Sequence, residues 1–163
     1  MSTPPTFTGG ATQTDLLWWQ QSRPLAYLYQ STAQTGVAST TWTAVALQTA
    51  LVDRDGGHSG SSGQYTVGLT LGIYRVSGAV AFDGTGGTER SARLVLNGTP
   101  IPGSLVQLPA AGPCTVTIPS VEVISTAPGD YVELQCQHDA GSPLNLLVVS
   151  GQASQMRVEY TGN

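Results

Sequence analysis

Apolar and polar residues alternate with a period of two through much of this chain. The clearest case is GIYRVSGAVAFDG, residues 72–84. Tyr74, Val76, Val80 and Phe82 share one parity, with Gly78 among them, and the run ends in an Asp-Gly turn signal. Such alternation predicts a half-buried strand, because successive side chains on a strand point to opposite faces. Gly78 on the apolar parity marks a bend or a close approach of a bulky neighbour. The same period recurs at 131–137, where Val132, Leu134 and Cys136 oppose Tyr131, Glu133 and Gln135. It recurs again at 156–160, where Met156, Val158 and Tyr160 oppose Arg157 and Glu159. With the Gly/Pro/Asp turn clusters between them, the runs predict strands at 41–47, 64–69, 72–82, 91–96, 115–125, 131–137, 144–150 and 156–161. LNLLVV, within 144–149, is apolar on both parities, which suits a strand covered on both faces, for instance by a neighbouring subunit.

Eight strands in roughly 120 residues match an all-β, antiparallel two-sheet sandwich or jelly roll. No short internal repeat points to a propeller or β-helix. Ahead of the strands, residues 1–14 are rich in Thr, Pro and Gly and predict an extended arm. TDLLWWQQSRPLAYLYQ follows, where Thr14 or Asp15 can cap a short helix over 16–22 that Arg23-Pro24 stops, and PLAYLYQ continues as extended chain. The expected division is an N-terminal attachment segment, 1–39, and a jelly-roll domain, 40–163. The apolar residues Leu16, Leu17, Trp18, Trp19, Leu25, Tyr27 and Tyr29 make that segment the candidate docking element for a partner.

Composition sharpens this picture. Charged residues are only 10% of the 163, against 40% hydrophobic, with 20 Gly and 10 Pro, as turn-rich β-proteins require. Net charge is −4, there is no lysine, and the six arginines are scattered, so no basic stripe exists for a phosphate backbone. No apolar run approaches the roughly 20 residues of a membrane helix. MSTPPTFTGG has neither the basic nor the apolar region of a secretory signal, which predicts a protein made in a cytoplasm.

Candidate chemistry is thin. DRDGGHSG, residues 53–60, opens like a calcium loop, but the acidic residue an EF-hand needs at loop position 12 is Gln64, so a plain turn is the expectation and no metal is predicted. GHSGS and GSSGQ miss the G-x-S-x-G elbow. His58 and His138 lie in polar stretches and are expected at the surface. Glu122, Glu133 and Glu159 fall on the parity opposite the core, as solvated or interface-facing strand charges instead of a glycosidase pair. GTGGTE lacks the spacing of a phosphate-binding loop, and no cofactor is expected. NGT, 97–99, suits an Asn-Gly hairpin turn better than a glycosylation site. Trp18, Trp19, Tyr27, Tyr29 and Trp42 suit packing or assembly, with sugar stacking as the other use. Cys114 and Cys136 sit on core parities and are expected as free thiols. No nucleophile–base pair supports an enzyme.

The order of the pieces carries a resemblance. TWTAVALQTALVDRDGGHS, YTVGLTLGIYRVSGAVAF, RSARLVLNGTPIPGS, GDYVELQCQHDAG and MRVEYTG follow one another over residues 40–161. The set resembles the C1q/TNF-like jelly-roll modules of bacteriophage virion proteins, especially those of phages of GC-rich actinobacteria. The three-proline stretch from Pro109 to Pro119 departs from the pattern. The resemblance implies a homotrimer on the virion surface, assembled in the bacterial host cytoplasm. Its expected role is a decoration or cement protein bound to the major capsid protein through the N-terminal segment. The alternative is a tail-tip or fibre module that binds a host receptor or cell-wall carbohydrate. Tyr131, Leu144, Leu146 and Val148 are the expected trimer contacts.

Overall fold

The computed structural model describes residues 25–60, 62–67, 71–149 and 151–162. Strands follow one another as β1 (Leu25–Tyr29), β2 (Gln34–Val37), β3 (Thr43–Ala44), β4 (Thr49–Asp53), β5 (Gln64–Thr66), β6 (Gly72–Asp83), β7 (Glu89–Leu96) and β8 (Thr99–Pro100). They continue as β9 (Val106–Pro109), β10 (Cys114–Ser125), β11 (Tyr131–His138), β12 (Leu144–Leu146), β13 (Val148–Val149), β14 (Gln152–Ala153) and β15 (Gln155–Gly162). A seven-stranded sheet has the order β2-β12-β6-β15-β1-β4, with β10 on the other edge of β6. A six-stranded sheet is built on β3-β11-β7-β8, with β5 on β11 and β9 on β7. All pairings are antiparallel, and β13–β14 forms a separate hairpin. The expected all-β two-sheet jelly roll is what the chain forms.

Alternation builds the core. Tyr74, Val76, Val80 and Phe82 of β6, with Met156 and Val158 of β15, meet Val132, Leu134 and Cys136 of β11 in one buried cluster. Each such apolar side chain taken from water contributes about 1.5–3 kcal/mol. Gly78 explains itself here, because a Cβ there would lie 3.1 Å from Leu134 Cδ1 and 3.2 Å from the Gln155 carbonyl. The glycine lets a leucine of the facing sheet settle onto β6. Cys136 is buried, which pushes its thiol up to about 12, and both cysteines are free.

Two other local features follow from residue chemistry. Register shifts between Ile118 and Val121 of β10, so Pro119 and Ser120 oppose one residue of β6. This bulge on an edge strand accommodates a residue with no N–H. Asn97 and Gly98 both have positive φ, 50° and 79°, as the tight turn from β7 to β8 demands. The Asn97 amide is used inside the fold: it donates to Asp130 (2.8 Å) and accepts from the Tyr131 N–H (3.0 Å).

Several expectations are corrected. Residues 25–39, expected as the end of an arm, carry β1 and β2, and β1 runs between β15 and β4 in the larger sheet. The helix expected over 16–22 lies outside the described residues. His138, expected at the surface, is buried, and His58 is half-buried. His138 Nε2 is 2.9 Å from the Val37 carbonyl and its ring is buried; His58 Nε2 is 2.7 Å from the Leu47 carbonyl. Glu133 is buried as well, held by the side-chain amides of Gln64 (2.9 Å) and Gln135 (2.7 Å).

One end of the sandwich is pinned by Arg90 and Asp139. The Arg90 guanidinium is fully buried and donates to the carbonyls of Glu89 and Gly86. Asp139 accepts from the Thr88 hydroxyl (2.7 Å) and from the Glu89 and Thr88 N–H groups (2.8 and 2.7 Å), which together hold its carboxyl down at about 2. A folded value below the unfolded one, about 4, means this stabilisation is complete above that pH and is lost as pH falls toward 2. Asp139→Asn is therefore expected to lower Tm at pH 7, with the gap to wild type closing between pH ~4 and ~2. A gap of constant size across an acid titration of thermal melts would contradict this.

Candidate interaction surface

The outward face of the seven-stranded sheet holds a concavity of about 820 Å³. Its construction follows from parity. Ala26 and Leu28 of β1 point into the core, so Tyr27 and Tyr29 point out. Ser77 and Ala79 of β6 are small, which leaves a low floor between Tyr27, Tyr29, Gln155 and Arg157 on one side and Thr115 and Thr117 on the other. The β13–β14 hairpin, turning through Gly151 at φ 79°, lines the rim with Val148, Val149 and Gln152. Gln152 Nε2 ties the hairpin to the sheet through the Thr115 hydroxyl at 2.9 Å. The Tyr27 hydroxyl donates to Gln155 Oε1.

This face is unusually apolar at its rim. Leu51 is 71% exposed and Val149 51% exposed, on opposite borders of the same concavity. Gln30 lines it too; its side chain is fully buried, and neither amide atom has a hydrogen-bond partner among the described residues. The lining offers hydroxyls, amides and one guanidinium, with no His, Cys, Asp or Glu among its described residues. Such a surface suits contact by shape, apolar area and neutral hydrogen bonds more than proton transfer or covalent chemistry.

The other candidates are placed as follows. Of the attachment residues, Leu25, Tyr27 and Tyr29 belong to β1, and Leu16, Leu17, Trp18 and Trp19 lie outside the described residues. Trp42 is on the other sheet, under the Arg93 guanidinium at 3.9 Å, so it forms no common platform with Tyr27 and Tyr29. The expected trimer contacts do not form one surface. Leu146 is fully buried and Leu144 nearly so within the single chain. Tyr131 is half-buried beside β5, and only Val148 reaches the concavity. The apolar run 144–149 breaks after Leu146: Leu144 and Leu146 of β12 are buried with Asn145 exposed between them, and the last two residues leave the sheet as the hairpin.

The 53–60 loop is closed by its own groups. Asp53 accepts from the N–H groups of Gly57 (3.1 Å) and His58 (3.2 Å), and Asp55 accepts from the Tyr65 hydroxyl. Burial holds the Asp55 carboxyl above its usual range and the Tyr65 hydroxyl above its own. Among the described residues no group of three or more His, Cys, Asp or Glu could hold a metal ion.

No family model and no curated protein matches the sequence. Solved structures do match. The globular domain of zebrafish complement 1qA superimposes with a TM-score of 0.62 at 13% identity, over 86% of this chain and 100% of that one. Murine APRIL at pH 8.0 gives 0.61 at 12% identity, over 84% of this chain and 98% of that one. The fold is C1q/TNF-like. At these identities the C1q/TNF-like jelly roll is a shared architecture, and function must be argued from this chain's own surface.

Proposed function

We propose that this C1q/TNF-like protein is a non-enzymatic structural protein of a bacteriophage virion, assembled as a homotrimer and decorating the outer capsid. The observation that carries the reading is the outward face of the seven-stranded sheet: a concave, aromatic and aliphatic surface with no His, Cys, Asp or Glu among its described lining residues. The resemblance over residues 40–161 to phage virion modules supports the virion setting, and the C1q/TNF-like fold supports self-association. Copies meet through this outward face, with Tyr27, Tyr29, Leu51 and Val149, in place of the buried Leu144 and Leu146. Since β1 is committed to the sheet, attachment to the major capsid protein falls to the chain before residue 25, where Leu16, Leu17, Trp18 and Trp19 supply the anchors. Paired tryptophans are strong anchors because each removes a large, rigid apolar area from water.

The test is co-sedimentation of the full chain with capsids stripped of it. Binding is expected, and Trp18→Ser with Trp19→Ser should weaken it by about tenfold or more while leaving the oligomeric state unchanged. Failure to bind capsids, with binding instead to host cell walls or their glycans, would replace decoration by the tail-tip role.

A further inference from the structure

The same face carries a second pattern, at the end away from the hairpin. Glu159 of β15, Arg75 of β6 and Glu122 of β10 occupy neighbouring register positions across three adjacent strands. Arg157 stands two residues along β15 from Glu159, on the same side of the sheet. All four side chains are about half exposed or more, 47–69%. Their signs alternate, and they pair within the chain at 4.0 Å (Arg75–Glu122) and 3.7 Å (Arg157–Glu159).

Exposed pairs of this kind contribute roughly 0–1 kcal/mol to a fold, so folding does not account for the row. Its composition points elsewhere. The chain is net negative, with ten acids against six arginines, yet the row holds two of each. The rest of the chain carries eight acids against four arginines, a net repulsion between copies, whereas the row presents a neutral, alternating pattern that complements a shifted copy of itself. The row also borders exposed Ile124, so charge and apolar area adjoin on one face.

We propose that Glu159, Arg75, Glu122 and Arg157 form a self-complementary charge row that fixes the register of copies of this chain against one another and excludes unlike partners. This rests on the self-association reading above. In the isolated chain the row pairs with itself; in the assembly its arginines and glutamates pair across the contact, where water is displaced and a like-charge neighbour is costly.

The row can be tested on the full chain by sedimentation velocity over a range of concentrations. Arg75→Glu sets three carboxylates side by side and is expected to raise the concentration for half-assembly about 100-fold, with an unchanged circular dichroism spectrum. Inverting the whole row (Arg75→Glu, Arg157→Glu, Glu122→Arg, Glu159→Arg) restores the alternation. That chain is expected to assemble within about threefold of wild type, yet to form no mixed species with differently tagged wild type. A wild-type chain that assembles while Arg75→Glu assembles equally well, or an inverted chain that mixes freely with wild type, overturns the row and leaves self-association standing. A wild-type chain that stays monomeric at every concentration overturns both.

Discussion

Leu146→Asp is expected to abolish the folded chain altogether, a larger effect than separating folded copies from each other. The leucine side chain is fully buried, on β12 opposite Phe82 of β6, inside the single core cluster. Truncating a buried leucine costs about 2–5 kcal/mol. A carboxylate in its place adds several more, since the buried charge cannot keep its water. The sum rivals the whole stability of a domain this size, about 5–15 kcal/mol. The variant should show no cooperative thermal melt and should accumulate as insoluble material. Leu146→Met, close in volume, should fold with a loss below about 1.5 kcal/mol. A soluble Leu146→Asp chain with a wild-type melt would show the side chain facing outward, as an intersubunit position requires.

That contrast explains where the sequence could be read and where it could not. A long alternating run such as Gly72–Phe82 is legible because its period, its Asp-Gly end and its apolar parity all agree, and β6 extends only one residue further. Asn97-Gly98 was legible because both positions need positive φ. β1 was not, because five residues give little period, and its partners are β4 and the distant β15. Nothing local says that Leu25–Tyr29 lies inside a sheet. LNLLVV misled for a related reason. Apolar residues on both parities can mean a strand covered twice, or, as here, a strand that stops and hands its last residues to another element. His138 and Glu133 misled because residue type suggests solvent, whereas the register of β11 sets one beside the Val37 carbonyl and the other under Gln64 and Gln135. The candidate surface was the least legible feature. Its residues come from β1, β4, β6, β10, β15 and the β13–β14 hairpin, and only the sheet order brings them to one concavity.

Phe82→Ala should produce the second large effect, and for reasons that reach beyond its own volume. The ring is fully buried at the C-terminal end of β6, between Cys114 of β10 and Leu146 of β12. It meets the His138 ring edge-on, with centroids 6.4 Å apart and planes at 80°. The buried Arg90 guanidinium lies 5.9 Å above it. Removing the ring loses apolar burial and opens a cavity, about 3–5 kcal/mol for such a site. It also takes the aromatic face from a guanidinium whose Nε has no hydrogen-bond partner among the described residues. Arg90 holds the carbonyls of Gly86 and Glu89, so the 84–89 loop should loosen with it. Differential scanning calorimetry is expected to show Tm lower by about 10–15 °C. Hydrogen exchange should rise first around Thr88 and Glu89, whose N–H groups bond to Asp139 beside Arg90. Phe82→Leu should recover more than half of the lost Tm and leave exchange in the loop intermediate, because the cavity is mostly filled while the aromatic face is still missing. If the alanine variant melts within about 3 °C of wild type, this end of the sandwich can collapse around the missing ring, and Arg90 rather than Phe82 organises it.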